Sequence, residues 1–261
     1  MTKAGQTELV KKLKDDSTLL ERAGTNLKRA VMWFSDSTLV VQQELLPYAF
    51  QLILLAVELD RWKTNEPPTP AILAWFWRTG WSEVFATASY RQVRTEQENL
   101  KNTSENNGAT EWERDKLPDR FDFRSARVRL FLLRLAAKPE LCDAAGNKIN
   151  GREILCSHGR NAFVQLFPAP RRQPSPALKR LLQGAGNRFL IDPNQETLLR
   201  DRLKEGPDLP IHVLESHFID CESLRALRQG DLESFLRQRA ELMNKWDEEQ
   251  WEHEKFRTGI G

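Results

Sequence analysis

The chain has 261 residues, 40% of them apolar and 29% charged, with a formal net charge of +2. That length accommodates one large domain or two small ones with a buried core. The near-neutral balance excludes bulk charge as a route to nucleic acid, so any polyanion surface must come from local clustering.

Thr7 to Leu20 carries Leu9, Val10, Leu13 and Leu19-Leu20 among charged residues, an amphipathic helix pattern that Ala23 to Phe34 repeats. Lys11-Lys12-Lys14 is offset by Asp15-Asp16 and reads as a solvated face. Ser35-Asp36-Ser37 predicts an interruption and a helix cap, and Pro47 fits the first turn of the next helix. The run from Pro47 to Leu59 is too short to span a bilayer and contains Gln51 and Glu58, so it predicts a core helix and no membrane partner. Thr64 to Pro70 is a turn-rich linker. Ile72 to Trp77 reads as an aromatic helix that breaks near Gly80 and resumes at Ser82, followed by a helix over Tyr90 to Leu100. Lys101 to Ala109 has no apolar period and predicts a surface loop.

Phe121 to Ala137 predicts a helix with Val128, Phe131, Leu132 and Leu135 inward, ended by Pro139. Strands are expected only within Leu141 to Pro168, as two short pieces around Gly146 and Gly151. Pro168 to Pro176 is a basic, proline-rich loop. Leu178 to Leu182, Glu196 to Lys204 and Cys221 to Trp251 predict a helical C-terminal region. The segment from Trp246 to Phe256 is acidic and amphipathic, and either docks on a partner or frays. The class is mainly α: a multi-helix domain with a small β-hairpin element. Three cysteines without a Cys-x-x-Cys spacing, and a charged helix close behind Met1, predict a cytoplasmic protein without a signal peptide.

Five segments, in order, resemble one family. They are Leu45-Leu46-Pro47-Tyr48; Trp75-Phe76-Trp77-Arg78-Thr79-Gly80-Trp81-Ser82-Glu83; Asn187-Arg188-Phe189-Leu190; Leu214-Glu215-Ser216-His217-Phe218-Ile219; and Phe235 to Leu242. The sequence from residue 25 to 245 is similar to the C-terminal part of the GmrSD-like restriction group of bacterial phage-defence proteins. Members pair a ParB-like nucleotide-dependent domain, marked by Asp-Gly-Gln-Gln-Arg, with a helical region and often an HNH nuclease. The Asp-Gly-Gln-Gln-Arg motif is absent here, so nucleotide hydrolysis is not carried over. Val164-Gln165-Leu166-Phe167-Pro168 stands where the family has His-His-Ile-Phe-Pro or Asp-His-Ile-x-Pro. Valine cannot hold a metal, and glutamine cannot take up a proton at neutral pH. The resemblance therefore implies a degenerate HNH frame. It also suggests a division into a helical domain (1–137), an HNH-like region with a helical C-terminus (138–245) and an acidic tail (246–261).

Candidate residues carry two readings each. His158 is a displaced base or a loop histidine; Asn187 matches the family's orienting asparagine or buttresses the next element; His217 is catalytic or packed. Cys142, Cys156 and His158, with a distant fourth ligand from His212, His217 or Cys221, invite zinc, but the spacing suits small buried cysteines better, and no metal site is assigned. Trp75, Trp77 and Trp81 stack on bases or fill the core. Arg78 reaches a phosphate or pairs with Glu83. Arg160, Arg171, Arg172, Lys179, Arg180 and Arg188 surround the degenerate frame and form the candidate nucleic-acid surface. The expected function is non-catalytic: contacting DNA or positioning a ParB-like effector domain or partner protein, with no cofactor. Two alternatives stay open, a rearranged metal-dependent HNH-type endonuclease using Mg²⁺, and a protein-interaction module of a defence complex.

Overall fold

A computed structural model describes residues 3–62, 69–103, 117–170, 173–207 and 209–257. Among these residues there are twelve α-helices and one two-stranded antiparallel sheet, the mainly α class with a small β element that the sequence predicts.

Helix α1 (Lys3–Asp15) turns into α2 (Leu19–Thr38) through Asp16, whose carboxylate accepts from the Thr18 amide and hydroxyl. The predicted interruption at Ser35-Asp36-Ser37 does not occur. The helix runs on to Thr38, whose hydroxyl donates back to the Phe34 carbonyl at 2.7 Å, and stops at Leu39 in the left-handed region (φ 63°). Helix α3 (Ala49–Arg61) begins two residues after Pro47, not on it. Pro47 instead holds Leu46 extended, and the Gln51 side chain closes on the Tyr48 amide at 3.3 Å to set the start.

Helix α4 (Thr69–Trp81) buries Trp75, Trp77 and Trp81 and does not resume at Ser82. The chain leaves it through a turn in which Glu83 has φ 45° and Val84 N–H donates to Thr79 C=O. Helix α5 (Tyr90–Thr103) takes in the first residues of the predicted loop 101–109, most of which lies outside the described residues, as does the linker before Thr69. Helix α6 (Ala126–Ala136) starts five residues later than predicted, where Ser125 Oγ accepts from Val128 N–H, and buries Val128, Phe131, Leu132 and Leu135.

Gly151 opens a helix, not a strand: α7 (Gly151–His158), capped by Asn150. A Cβ on Gly151 would sit 2.1 Å from the Ala136 carbonyl oxygen, so this glycine marks close approach of α7 to the end of α6. The Gly146 turn carries a single bridge, Cys142 to Lys148. The strands are β1 (Phe163–Gln165) and β2 (Arg188–Leu190), joined through α8 (Pro176–Gln183) and paired Phe163 to Leu190, Val164 to Phe189 and Gln165 to Arg188. Next come α9 (Glu196–Lys204), α10 (Ile211–Ser216) and α11 (Cys221–Arg228). Within the predicted helical region 221–251, Gly230 (φ 85°) separates α11 from α12 (Leu232–Arg257).

Two hydrophobic clusters form the interior. One is built mainly from α2 to α6; the other runs from Cys142 to Leu236. Helix α12 serves both, with Phe235 and Leu236 in the second and Met243 and Trp251 in the first. Residues 246–254 accordingly do not form a separate acidic tail. Asp247 is fully buried against Arg127, Glu254 is buried against Arg134, and Trp246 meets the rings of Phe131 and Phe218. Asp247 and Glu254 answer two arginines on α6, while Glu248, Glu249 and Glu252 are exposed. Among the described residues no helix is long and apolar enough to cross a membrane.

Candidate functional site

The sheet stands between the two clusters. Phe163 and Leu190 turn into the first, while Val164 and Phe189 turn into the second beside Leu199 and Leu203 of α9. This is the two-sided burial that period-two alternation gives a strand packed on both faces. Two further backbone bonds extend the ladder, Ile191 N–H to Ala162 C=O at 3.0 Å and Leu166 N–H to Asn187 C=O at 3.3 Å.

Asn187 ends a 3₁₀ turn (Ala185–Asn187) and is fully buried. Its Oδ1 accepts from Phe167 N–H at 2.9 Å, and its Nδ2 donates to the carbonyls of Phe167 (2.8 Å) and Leu182 (3.0 Å). One amide therefore fastens the chain after β1 to the end of α8. Its polar atoms are engaged with backbone, which is the buttressing reading.

The positions that the resemblance makes chemical are occupied differently. Val164 is 8% exposed and belongs to the second cluster; Gln165 is exposed at the strand end. Arg200 of α9 donates to the Leu166 carbonyl at 3.4 Å and pairs with Glu196, and the Lys204 ammonium lies 5.7 Å from the Phe167 ring centre. Arg200 and Lys204 are cations that the sequence reading missed. Their i, i+4 spacing on one short helix was the available signal.

His158 is the last residue of α7, not a loop residue. Its Nε2 lies 3.7 Å from Asp192 Oδ1, which also accepts from the Asn194 amide (2.9 Å) and side chain (3.0 Å). His217 follows α10, is buried, and sets its ring 5.7 Å from that of Phe189. Burial, with the charges of Arg239 and Lys138, pushes its pKa down to about 3. It is neutral at physiological pH. No hydrogen bond joins any two of His158, Asn187 and His217.

The backbone around His217 is organised by Arg239 of α12, which is buried over the Phe189 ring at 3.6 Å. Its guanidinium donates to the carbonyls of His217 (2.7 Å), Gly186 (2.7 Å) and Arg188 (2.8 Å). Burial lowers its pKa to about 9, which leaves it charged at neutral pH. Arg239 carries no signal in the sequence that separates it from its neighbours Arg237 and Gln238.

Among the described residues no group of three or more His, Cys, Asp or Glu is arranged to hold a metal ion. Cys142 is buried as expected of a small core cysteine, but Cys156 is exposed on α7, and Cys221 is exposed as well. Trp75, Trp77 and Trp81 fill the core, with Trp77 and Trp81 5.3 Å apart and the Arg134 guanidinium 4.3 Å from the Trp77 ring centre. Arg78 pairs with Glu96 of α5, not with Glu83; Glu83 accepts from the Ser125 hydroxyl at 3.2 Å.

The six basic candidates part company. Arg160, Lys179 and Arg180 are exposed. Arg188 is not a surface cation: its guanidinium lies 5.6 and 5.9 Å from the ring centres of Phe121 and Phe123, donates to the Phe163 carbonyl, and has its pKa lowered by burial. Arg171 and Arg172 lie outside the described residues. Arg180 shares a groove of about 290 Å³ with Arg237, Asn244 and Asp119.

No family model, curated protein or solved structure matches the chain.

Proposed function

We propose that this chain is a non-catalytic part of an anti-phage restriction system of the GmrSD-like kind, which contacts DNA or positions an effector domain or partner. The resemblance of the five sequence segments supplies the class. The observation that supports the absence of chemistry is Val164: it stands at the place of a metal ligand and is sealed into an apolar core, while Asn187 is consumed in fastening backbone.

Exposed Gln165 with Arg200 and Lys204 at the end of β1, and exposed Lys179 and Arg180 on α8, supply donors of the kind that meet phosphate oxygens. Phosphate contacts release counterions, so binding to duplex DNA is expected to weaken steeply as salt rises. Fluorescence anisotropy with a labelled duplex tests this. Replacing Lys179, Arg180 and Lys204 by Ala should weaken binding to any sequence and flatten the salt slope by about three. Absence of binding to duplex and single strand at low salt would remove the DNA reading and favour the interaction module.

A second reading, a rearranged endonuclease, draws on one observation, the His158–Asp192 pair at 3.7 Å. A carboxylate beside an imidazole is the arrangement that orients a general base. The same Asp192 oxygen is already engaged by Asn194, which makes the pair a turn-stabilising contact in the non-catalytic reading.

A further inference from the structure

Gln165 and Arg188 are partners across the end of the sheet. Residues directly opposite in a ladder send their side chains to one face, with Cβ atoms about 4.5–5.5 Å apart. This is the face on which Phe163 and Leu190 enter the first cluster. At its end Gln165 is exposed and Arg188 is partly exposed, so a cation and an amide meet solvent side by side.

The Arg188 guanidinium is held in place without being satisfied. The ring centres of Phe121 and Phe123 lie 5.6 and 5.9 Å from it, contacts that orient the group but accept no hydrogen bond in its plane. Nη1 reaches the Phe163 carbonyl at a long 3.4 Å, and Nε is sealed from solvent with no partner. Nη2 has no hydrogen bond among the described residues and is not among the sealed atoms. No carboxylate of the described residues pairs with this cation. Asp122, between the two phenylalanines in sequence, is taken by Arg124, and burial is what lowers the Arg188 pKa. Arg239 gives the contrast, since its buried guanidinium meets three carbonyls at 2.7–2.8 Å. A guanidinium stays charged at ordinary pH, and a desolvated charge without a counter-charge is costly.

The Gln165 amide makes no hydrogen bond among the described residues. Its N–H donors and the open Nη2 are thus available to one ligand. A phosphoryl group has the charge that Arg188 lacks and enough oxygens to accept from both side chains at once.

We infer that Arg188 and Gln165 form a binding site for a phosphate oxyanion, with Phe121 and Phe123 as the wall behind the guanidinium. The anion is either a phosphodiester of a nucleic-acid backbone or free phosphate. Only the first source rests on the DNA reading above.

Titration of the full chain with inorganic phosphate at low salt, followed by phosphorus NMR line width, tests it. Saturable broadening is expected, and acetate at the same ionic strength should displace the phosphate poorly. Gln165→Glu, at an exposed position, sets a carboxylate beside Arg188. It should weaken phosphate binding about tenfold or more and raise the melting temperature, because the cation gains its missing partner. Gln165→Ala leaves Arg188 alone and should weaken binding about threefold or more without raising the melting temperature. A short duplex that displaces phosphate, and that itself binds Gln165→Glu less well, identifies the backbone as the source. A duplex that leaves phosphate bound identifies free phosphate and counts against the DNA reading while the site stands. Absence of saturable phosphate binding, binding indifferent to Gln165→Glu, or acetate binding as tight as phosphate would overturn the inference.

Discussion

The side-chain amide of Asn187 holds both the N–H and the C=O of Phe167, at 2.9 and 2.8 Å. Two residues twenty apart in sequence are thereby locked in one orientation, and with them the whole exit from β1. Replacing Asn187 by Ala strands three buried backbone groups, counting the Leu182 carbonyl at 3.0 Å. The expected loss is about 2–4 kcal/mol in urea unfolding. Asn187→Asp keeps the shape but removes both donated bonds, and should cost a similar amount.

Arg127 and Asp247 form a pair with no solvent access. Removing one partner leaves a charge in an apolar core, so Asp247→Ala is expected to destabilise by about 3–5 kcal/mol. The double variant Arg127→Met, Asp247→Leu removes both charges and should recover most of that loss. Denaturant midpoints of the three proteins check the order.

His217 gives stability a pH dependence with a defined sign. Its pKa in the folded chain is about 3, below the ordinary value near 6.5 that the unfolded imidazole keeps. Between those limits the unfolded chain binds the extra proton, so folding is most favoured above the ordinary value. It weakens as pH falls, by about 1.4 kcal/mol per pH unit for this one group. His217→Gln should flatten the slope of unfolding free energy between pH 6 and pH 4.

Gly186 lies where α12 passes closest to the 3₁₀ turn. An added Cβ would meet the Leu236 carbonyl oxygen at 2.4 Å and Ala240 Cβ at 3.1 Å. The obstacle is helix backbone, which cannot swing aside. Gly186→Ala is expected to cost about 1–3 kcal/mol, seen as a lowered melting temperature.

Much of the helical scaffold was legible because its apolar period is strong. The inward set Val128, Phe131, Leu132 and Leu135 is buried as read, and α9 spans the residues its pattern marked. Boundaries failed where a local rule met a tertiary one. Ser35-Asp36-Ser37 reads as a stop, yet Arg152 of α7 donates to the Ser35 carbonyl and hydroxyl and to Asp36, and the helix continues to Thr38. Gly151 reads as a strand break, yet it is a glycine because the Ala136 carbonyl lies against it.

The residues that organise the candidate site were harder to see. Arg239 looks like any surface arginine of an amphipathic helix, and only the fold brings three carbonyls and a phenyl ring to it. Arg188 was read as a surface cation for the converse reason, since nothing in its neighbourhood of sequence announces Phe121 and Phe123. The acidic run after Trp246 reads as docking on a partner or fraying, because the arginines that take Asp247 and Glu254, Arg127 and Arg134, lie more than a hundred residues earlier.

In the proposed reading, the stretch that resembles an HNH frame is filled by packing and performs no chemistry. Incubating the purified chain with supercoiled plasmid and either Mg²⁺ or Mn²⁺, and resolving the products on a gel, tests it most directly. Plasmid is expected to remain supercoiled at every metal concentration. Nicking or linearisation that His158→Ala abolishes would contradict it.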